Sequence, residues 1–250
     1  MWKISWKGVL AHKVRLGLTG VAIVLGVGFV AGSFVFTDTI SATFEALFEE
    51  VTASVDVFIE AETAFGEDQG RISDGILDQI QGVQGVELAF GGVEGWAQLV
   101  DQEGEAIGGN GPPTLGFSWS DKGAELFPLR VRDGRPPATG TEIMVDAGTA
   151  EANDLDVGDT VTVLLIGGPG DFEIVGTVSF GDTDNLLGAT LTIFELETAQ
   201  RVFDAEGEFT AITVKAGPGV AASELAQRIG AVVPEGVRAI TATTEAEEEQ

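Results

Sequence analysis

Asp182, Asp184 and Asn185 in the stretch GDTDN put three oxygen-bearing side chains within four positions. That density suits a loop wrapping a hard cation, but an EF-hand loop needs another oxygen ligand where Leu186 stands and a closing Glu further on. The stretch therefore reads as a turn. GGPGD (Gly167–Asp171) has the glycines of a phosphate cradle without the Lys and following helix, and reads as a hairpin turn. GVGFVA (Gly26–Ala31) matches a dinucleotide-binding spacing, yet no strand precedes it and its surroundings are apolar. Nucleophilic chemistry fares no better. The chain has no Cys and no Tyr, and its one His, His12, lies in the N-terminal segment. A cysteine nucleophile, a thiolate metal site, and a Ser-His-Asp triad in the main body are excluded. The 40 acidic residues allow so many carboxylate pairs that none can be singled out. No catalytic, cofactor-binding or metal-binding residue is assigned, and the protein is read as non-enzymatic.

The distribution of charge says more. Lys3, Lys7, Lys13 and Arg15 precede a long apolar run, and the first acidic residue, Asp38, comes only after it. Beyond residue 37, nine basic residues face 40 acidic ones, leaving −31. Such a surface repels phosphate backbones, so no nucleic-acid partner is expected. It serves as a solubility device for an exposed domain, with cation binding as the rival use.

Residues 16–37 are 22 uncharged positions. At about 1.5 Å per residue they span roughly 33 Å, close to the thickness of a bilayer core. A cleaved signal peptide has a shorter apolar run and a clean small-residue cleavage site, and the AGS at Ala31–Ser33 lies too deep to serve. An uncleaved transmembrane helix is expected. The flanking charges orient it with residues 1–15 in the cytoplasm, as a basic amphipathic segment carrying Trp2 and Trp6. The body is then extracytoplasmic, on a plasma (inner) membrane protein. Ala22 and Gly26, and again Gly28 and Gly32, are four apart, giving the helix a smooth face for other helices.

After the span, residues 38–53 carry Ile40, Phe44, Leu47, Phe48 and Val51 at helical spacing, which predicts a stalk helix. SVDVFIE (Ser54–Glu60) alternates as a strand, SDGILDQIQG (Ser73–Gly82) predicts a short helix capped by Ser73, and VELAF (Val86–Phe90) returns as a strand, with extended structure resuming through Gly95–Val100. The pattern recurs as strand Phe209–Ala216, helix Val220–Val233 and strand Val237–Ala242. Two separated β-α-β units predict a split ferredoxin-like layer from residues 54–102 and 206–243. Between them, residues 103–205 are β-rich, with TEIMV, DTVTVLLIG and DFEIVGTVSF as strands, LDVGD as a tight turn and FELETAQRVF (Phe194–Phe203) as a short helix. The fold class expected is α+β: one membrane helix, a stalk, a ferredoxin-like layer and a β-rich insert. At residues 244–250, Thr244 and Glu247 have capping-box spacing, predicting the start of a helix in a chain that reads as an N-terminal fragment.

Taken in order, these stretches resemble MacB/FtsX-like ABC transporter permeases. The resemblance rests on WKGVLAHKVRLGLTGVAIVLGVGFVAGSFVFTDTI (Trp6–Ile40), LRVRDGRPPATGTEIMVDAGTAEANDLDVGDTVTV (Leu129–Val163), FEIVGTVSFGDTDNLLGATLTIFELETAQRVF (Phe172–Phe203) and GVAASELAQRI (Gly219–Ile229). It implies an extracytoplasmic core of two parts, further membrane spans, a second permease copy or related permease, and a cytoplasmic ATP-binding partner. ATP would then sit on that partner, with no cofactor in this chain. The function implied is a permease component coupling ATP-driven motion to export or release of a substrate. The alternative is a single-pass anchored extracytoplasmic binding or sensor domain.

Overall fold

A computed structural model describes residues 54–62, 70–101, 104–108, 113–127, 129–181, 183–185 and 188–242, with helical positions 18, 20, 21, 23–29 and 32. In chain order the first half contains β1 (Val57–Ala61), β2 (Ile72–Ser73), α1 (Gly75–Gln81), β3 (Val86–Gly92), β4 (Glu94–Trp96), β5 (Gln98–Val100), β6 (Thr114–Trp119), α2 (Asp121–Leu126) and β7 (Leu129–Gly134). There follow β8 (Glu142–Asp146), α3 (Ala147–Ala152), β9 (Thr160–Leu165), β10 (Gly168–Phe180), β11 (Thr190–Glu195), α4 (Leu196–Val202), β12 (Glu208–Phe209), β13 (Ala211–Ala216), α5 (Ala222–Gly230) and β14 (Val237–Thr241). Residues 1–49 form one unit and residues 50–250 another.

The smaller sheet has the order β14-β1-β13-β3, every neighbouring pair antiparallel. Its strands come from the two β-α-β stretches, so the outermost strands are the last of each. Alternation decides which side is buried: Val57 and Ile59 of β1 and Ile212 and Val214 of β13 share a core with Ile76 and Ile80 of α1 and Leu225 and Ile229 of α5. On the opposite face Phe58, Leu88 and Phe90 meet Val55, Leu126 and Phe127.

The larger sheet runs β4-β6-β11-β8-β10-β9-β5, with β7 also paired to β10. Its two end strands, β4 and β5, are separated in sequence by Ala97 alone, so the sheet curls until its ends meet. One bent segment, Glu94–Val100, pairs with β6 through its first half and with β9 through its second. Phe172, Phe194 and Phe203 fill the interior edge to face, with ring centres 5.3 Å and 5.6 Å apart. This interior is continuous with the core beneath the smaller sheet.

The elements differ from the sequence reading at several ends. The chain from Glu94 to Val100, grouped above with the 54–102 portion, pairs in the larger sheet. Ser73 is in β2 and Asp74 precedes α1, with no side-chain cap. Phe194 belongs to β11, and α4 begins at Leu196 with the Glu195 carboxylate accepting from the Glu197 and Thr198 N–H groups. Helix α5 stops at Gly230, leaving Val232 43% exposed. In DFEIVGTVSF the sequence alternates Phe172, Ile174, Val178 and Phe180 as for a strand with one buried face, but the pairing of β10 with β8 shifts between Ile174 and Gly176 and Val175 is buried as well. Helices α2 and α3, each only six residues long, are not foreseen by the periodicity.

Among the described residues no helix is long and apolar enough to cross a membrane. The span at 16–37 lies partly outside them. Residues 1–15, the stalk at 38–53 and the helix start at 244–250 lie wholly outside.

Candidate functional site

Among the described residues no group of three or more His, Cys, Asp or Glu side chains is placed to hold a metal ion, and the buried or paired polar groups gather at two joints and one loop. The first joint is where the chain passes from the smaller sheet to the larger. β3 ends at Gly92 and β4 begins at Glu94, leaving Val93 between them, buried. The Val93 N–H donates to Ser118 Oγ (2.9 Å) and the Ser118 N–H donates back to the Val93 carbonyl (2.8 Å). Thr210 staples the other side: its N–H donates to the Gly92 carbonyl (2.9 Å), and its Oγ1 accepts from the Glu94 N–H (3.0 Å). Gly91 is needed here because a Cβ would run into the Phe209 ring. The crossing is therefore held by hydrogen bonds from Ser118 and Thr210 on either side of the buried Val93.

The second joint is built on Asp146, the last residue of β8 and fully buried. Its carboxylate accepts from the Thr149 N–H (2.8 Å), capping α3, from Asn185 Nδ2 (3.0 Å), and from the Leu191 N–H of β11 (2.9 Å). Asn185 also donates to the Ala189 carbonyl (3.0 Å) and accepts from the Gly188 N–H. Asp184 pairs with Arg132 of β7. The GDTDN loop is thus a clasp tying β8, β11 and β7 together, with Asp184 and Asn185 already engaged by protein donors; Asp182 lies outside the described residues. Thr183 and Phe180 exchange backbone hydrogen bonds (2.9 and 2.8 Å), making the tight turn expected there.

The third feature is the segment after β7. Arg135 reaches both carboxylate oxygens of Glu142 (2.9 and 2.7 Å), and the Ala138 N–H adds a third bond (2.8 Å). The Arg135 fork, with the Ala138 amide behind it, lowers the Glu142 carboxyl to about 2.

Of the residues assigned to packing between membrane helices, Gly26, Gly28 and Gly32 are helical, and a Cβ at any of them would meet nothing within 4 Å. Ala22, and the orienting Lys3, Lys7, Lys13 and Arg15, fall outside the described residues. Asp146, Ser118 and Thr210 were not singled out by sequence, since their partners are remote along the chain. The arginines of LRVRDGR (Leu129–Arg135) did leave a signal: three of the nine basic residues after position 37 stand within six positions.

A family model described as the MacB-like periplasmic core domain matches residues 16–232. No curated protein matches. The periplasmic region of MacB from Actinobacillus actinomycetemcomitans superposes with a TM-score of 0.58 at 12% identity, over 81% of this chain and 95% of that one. The extracellular domain of the noncanonic ABC-type transporter YknZ from Gram-positive bacteria gives 0.53 at 12% identity, over 74% of this chain and 99% of that one. At that identity these likenesses concern the fold.

Proposed function

The chain belongs to the family of MacB-like periplasmic core domains, and from that membership we propose that it is the membrane helix and extracytoplasmic core of an ABC-type transporter permease. The observation that carries the reading is the extent of the family match. It begins at residue 16, the first position of the apolar run, and continues through the body to residue 232, so run and body belong to one family unit.

On this reading residues 16–37 cross the membrane with the N-terminus in the cytoplasm. Leu18, Val21, Ile23, Val24, Leu25, Val27 and Phe29 support it: they are helical, large, apolar and all more than half exposed, which is costly against water and favourable against lipid. The Ala22, Gly26, Gly28 and Gly32 face would pack against other spans. Residues 38–53 would continue as a stalk, and the smaller sheet would be the ferredoxin-like layer that receives its motion and hands it to the larger sheet through Val93. The chain would do no chemistry of its own. ATP would be hydrolysed by a cytoplasmic partner, and the work delivered outside as export or release of a substrate.

The test is affinity purification of the full-length protein from its native membranes. Stoichiometric recovery of a cytoplasmic ATP-binding subunit is the expected result. A protein that never recruits one, in membranes or after reconstitution, would overturn the proposal.

A further inference from the structure

The dipeptide Asp-Gly occurs twice in the chain, at Asp74–Gly75 and at Asp133–Gly134, and both copies are exposed. Glycine has no side chain to shield its amide, so the nitrogen after the aspartate can reach the carboxyl beside it. The fold treats the two copies differently. At the start of α1 the Asp74 N–H donates to the Gly207 carbonyl (3.0 Å) and the Asp74 carbonyl accepts from the Leu77 N–H (3.0 Å). That backbone is fixed in helical geometry, and the Asp74 side chain takes no amide of the helix.

Asp133–Gly134 ends β7, which among the described residues pairs with β10 alone. Asp133 pairs with Thr177 and Val131 with Val178, so Arg132 is the extra residue of a bulge. The Arg135 N–H donates to the Val175 carbonyl (3.0 Å), so the Gly134 N–H, one residue earlier, points away from β10. There it donates to Asp133 Oδ1 (2.8 Å), with Gly134 in the left-handed region at a φ of 72°. Amide and carboxyl are thus in contact, outside the ladder and open to water.

We propose that Asp133–Gly134 is a site of spontaneous covalent modification, where the folded chain converts aspartate to isoaspartate through a succinimide. The Gly134 nitrogen gives up its proton and attacks Cγ of the uncharged Asp133 carboxyl. The new N–Cγ bond closes a five-membered ring, and one carboxyl oxygen leaves as water. Water then adds to either ring carbonyl. Breaking the bond from nitrogen to Cγ restores aspartate; breaking the bond from nitrogen to the main-chain carbonyl leaves the backbone running through Cβ and Cγ. Water released in the first step is taken up in the second, so no other reactant is needed. The product lengthens the backbone just before Arg135, where even a Cβ on Gly134 would run into the Val175 carbonyl and Gly176 Cα. The Arg135–Val175 bond and the Arg135–Glu142 fork lie directly downstream. The inference stands on this geometry, independently of the transport reading.

The full-length chain in a neutral detergent is incubated for weeks near body temperature, and its peptides are assayed for isoaspartate by enzymatic methylation and electron-transfer fragmentation. Isoaspartate at position 133 should exceed that at position 74 about tenfold or more, because only one pair is held in contact and open. In urea, where neither pair is held, the two should age alike. Asp133→Glu would need a six-membered ring and should stay unmodified, whereas Asp133→Asn should react faster, with loss of ammonia. An unmodified position 133 in the folded chain, equal accumulation at 74 and 133, an excess that persists in urea, or unchanged accumulation in Asp133→Glu would each overturn the proposal.

Discussion

At the residue scale, the strongest single commitments are buried polar groups whose partners come from far along the chain. Asp146 is fully buried and accepts three N–H bonds from three different elements. Asp146→Ala would strand those donors, and a loss of about 3 kcal/mol is expected in urea unfolding, with the 183–191 stretch exchanging amide protons faster. Thr192 makes the converse case. Its Oγ1 is buried without a hydrogen-bond partner among the described residues, so the near-isosteric Thr192→Val should stabilise by about 1 kcal/mol. Glu142 sets a pH window. Its carboxyl is lowered to about 2 by the Arg135 fork. A depressed carboxylate stabilises fully above its unfolded value, near 4.5, and that contribution is lost as pH falls toward 2. The stability gap between wild type and Glu142→Gln should therefore narrow between pH 5 and pH 2, about the window set by those values, in urea midpoints measured side by side. None of these roles was legible in the sequence. TEIMVD reads as a buried strand whether or not its last carboxylate finds Asn185 and Leu191, each about 40 positions on.

At the element scale, the curling of the larger sheet depends on glycines that make room for one ring. A Cβ at Gly95 or at Gly116 would collide with Phe203, and one at Gly116 would also come within 2.9 Å of the Ala97 Cβ. Gly95→Ala should cost about 1–3 kcal/mol, and Phe203→Leu in the same chain should return part of it, a coupling read by a double-mutant cycle. Strands β1, β3, β13 and β14 were found because each is a short run rich in apolar and β-branched residues, although burial alternates only in β1, where Val57 and Ile59 are buried. Periodicity failed along β10, where a bulge shifts the pairing and buries Val175 beside Ile174. It failed for α2 and α3 because a six-residue helix shows too few turns for a period to register. The seam is also an element-scale device. Ser118→Ala combined with Thr210→Val removes both staples on Val93 and Glu94, and hydrogen exchange at those two amides should rise while the strands on either side stay protected.

At the scale of the whole molecule, the proposed orientation rests on the charges at one end. With residues 16–37 as the proposed span, replacing Lys3, Lys7, Lys13 and Arg15 with Gln should yield a mixed or inverted topology, measured by protease access to the body in intact spheroplasts. The body facing outward in every molecule of that variant would contradict it. Composition and order along the chain were sufficient for the α+β class, the apolar run, the acidic body and the family resemblance, since hydropathy, charge and local period are properties of neighbouring residues. Tertiary structure alone decided that Glu94–Val100 closes the larger sheet, that the two sheets share one core through Val93, and that β7 pairs with β10 alone among the described residues. Those outcomes depend on which strands lie side by side, and pairing joins residues as far apart as Phe90 and Thr213, whose spacing no local pattern records.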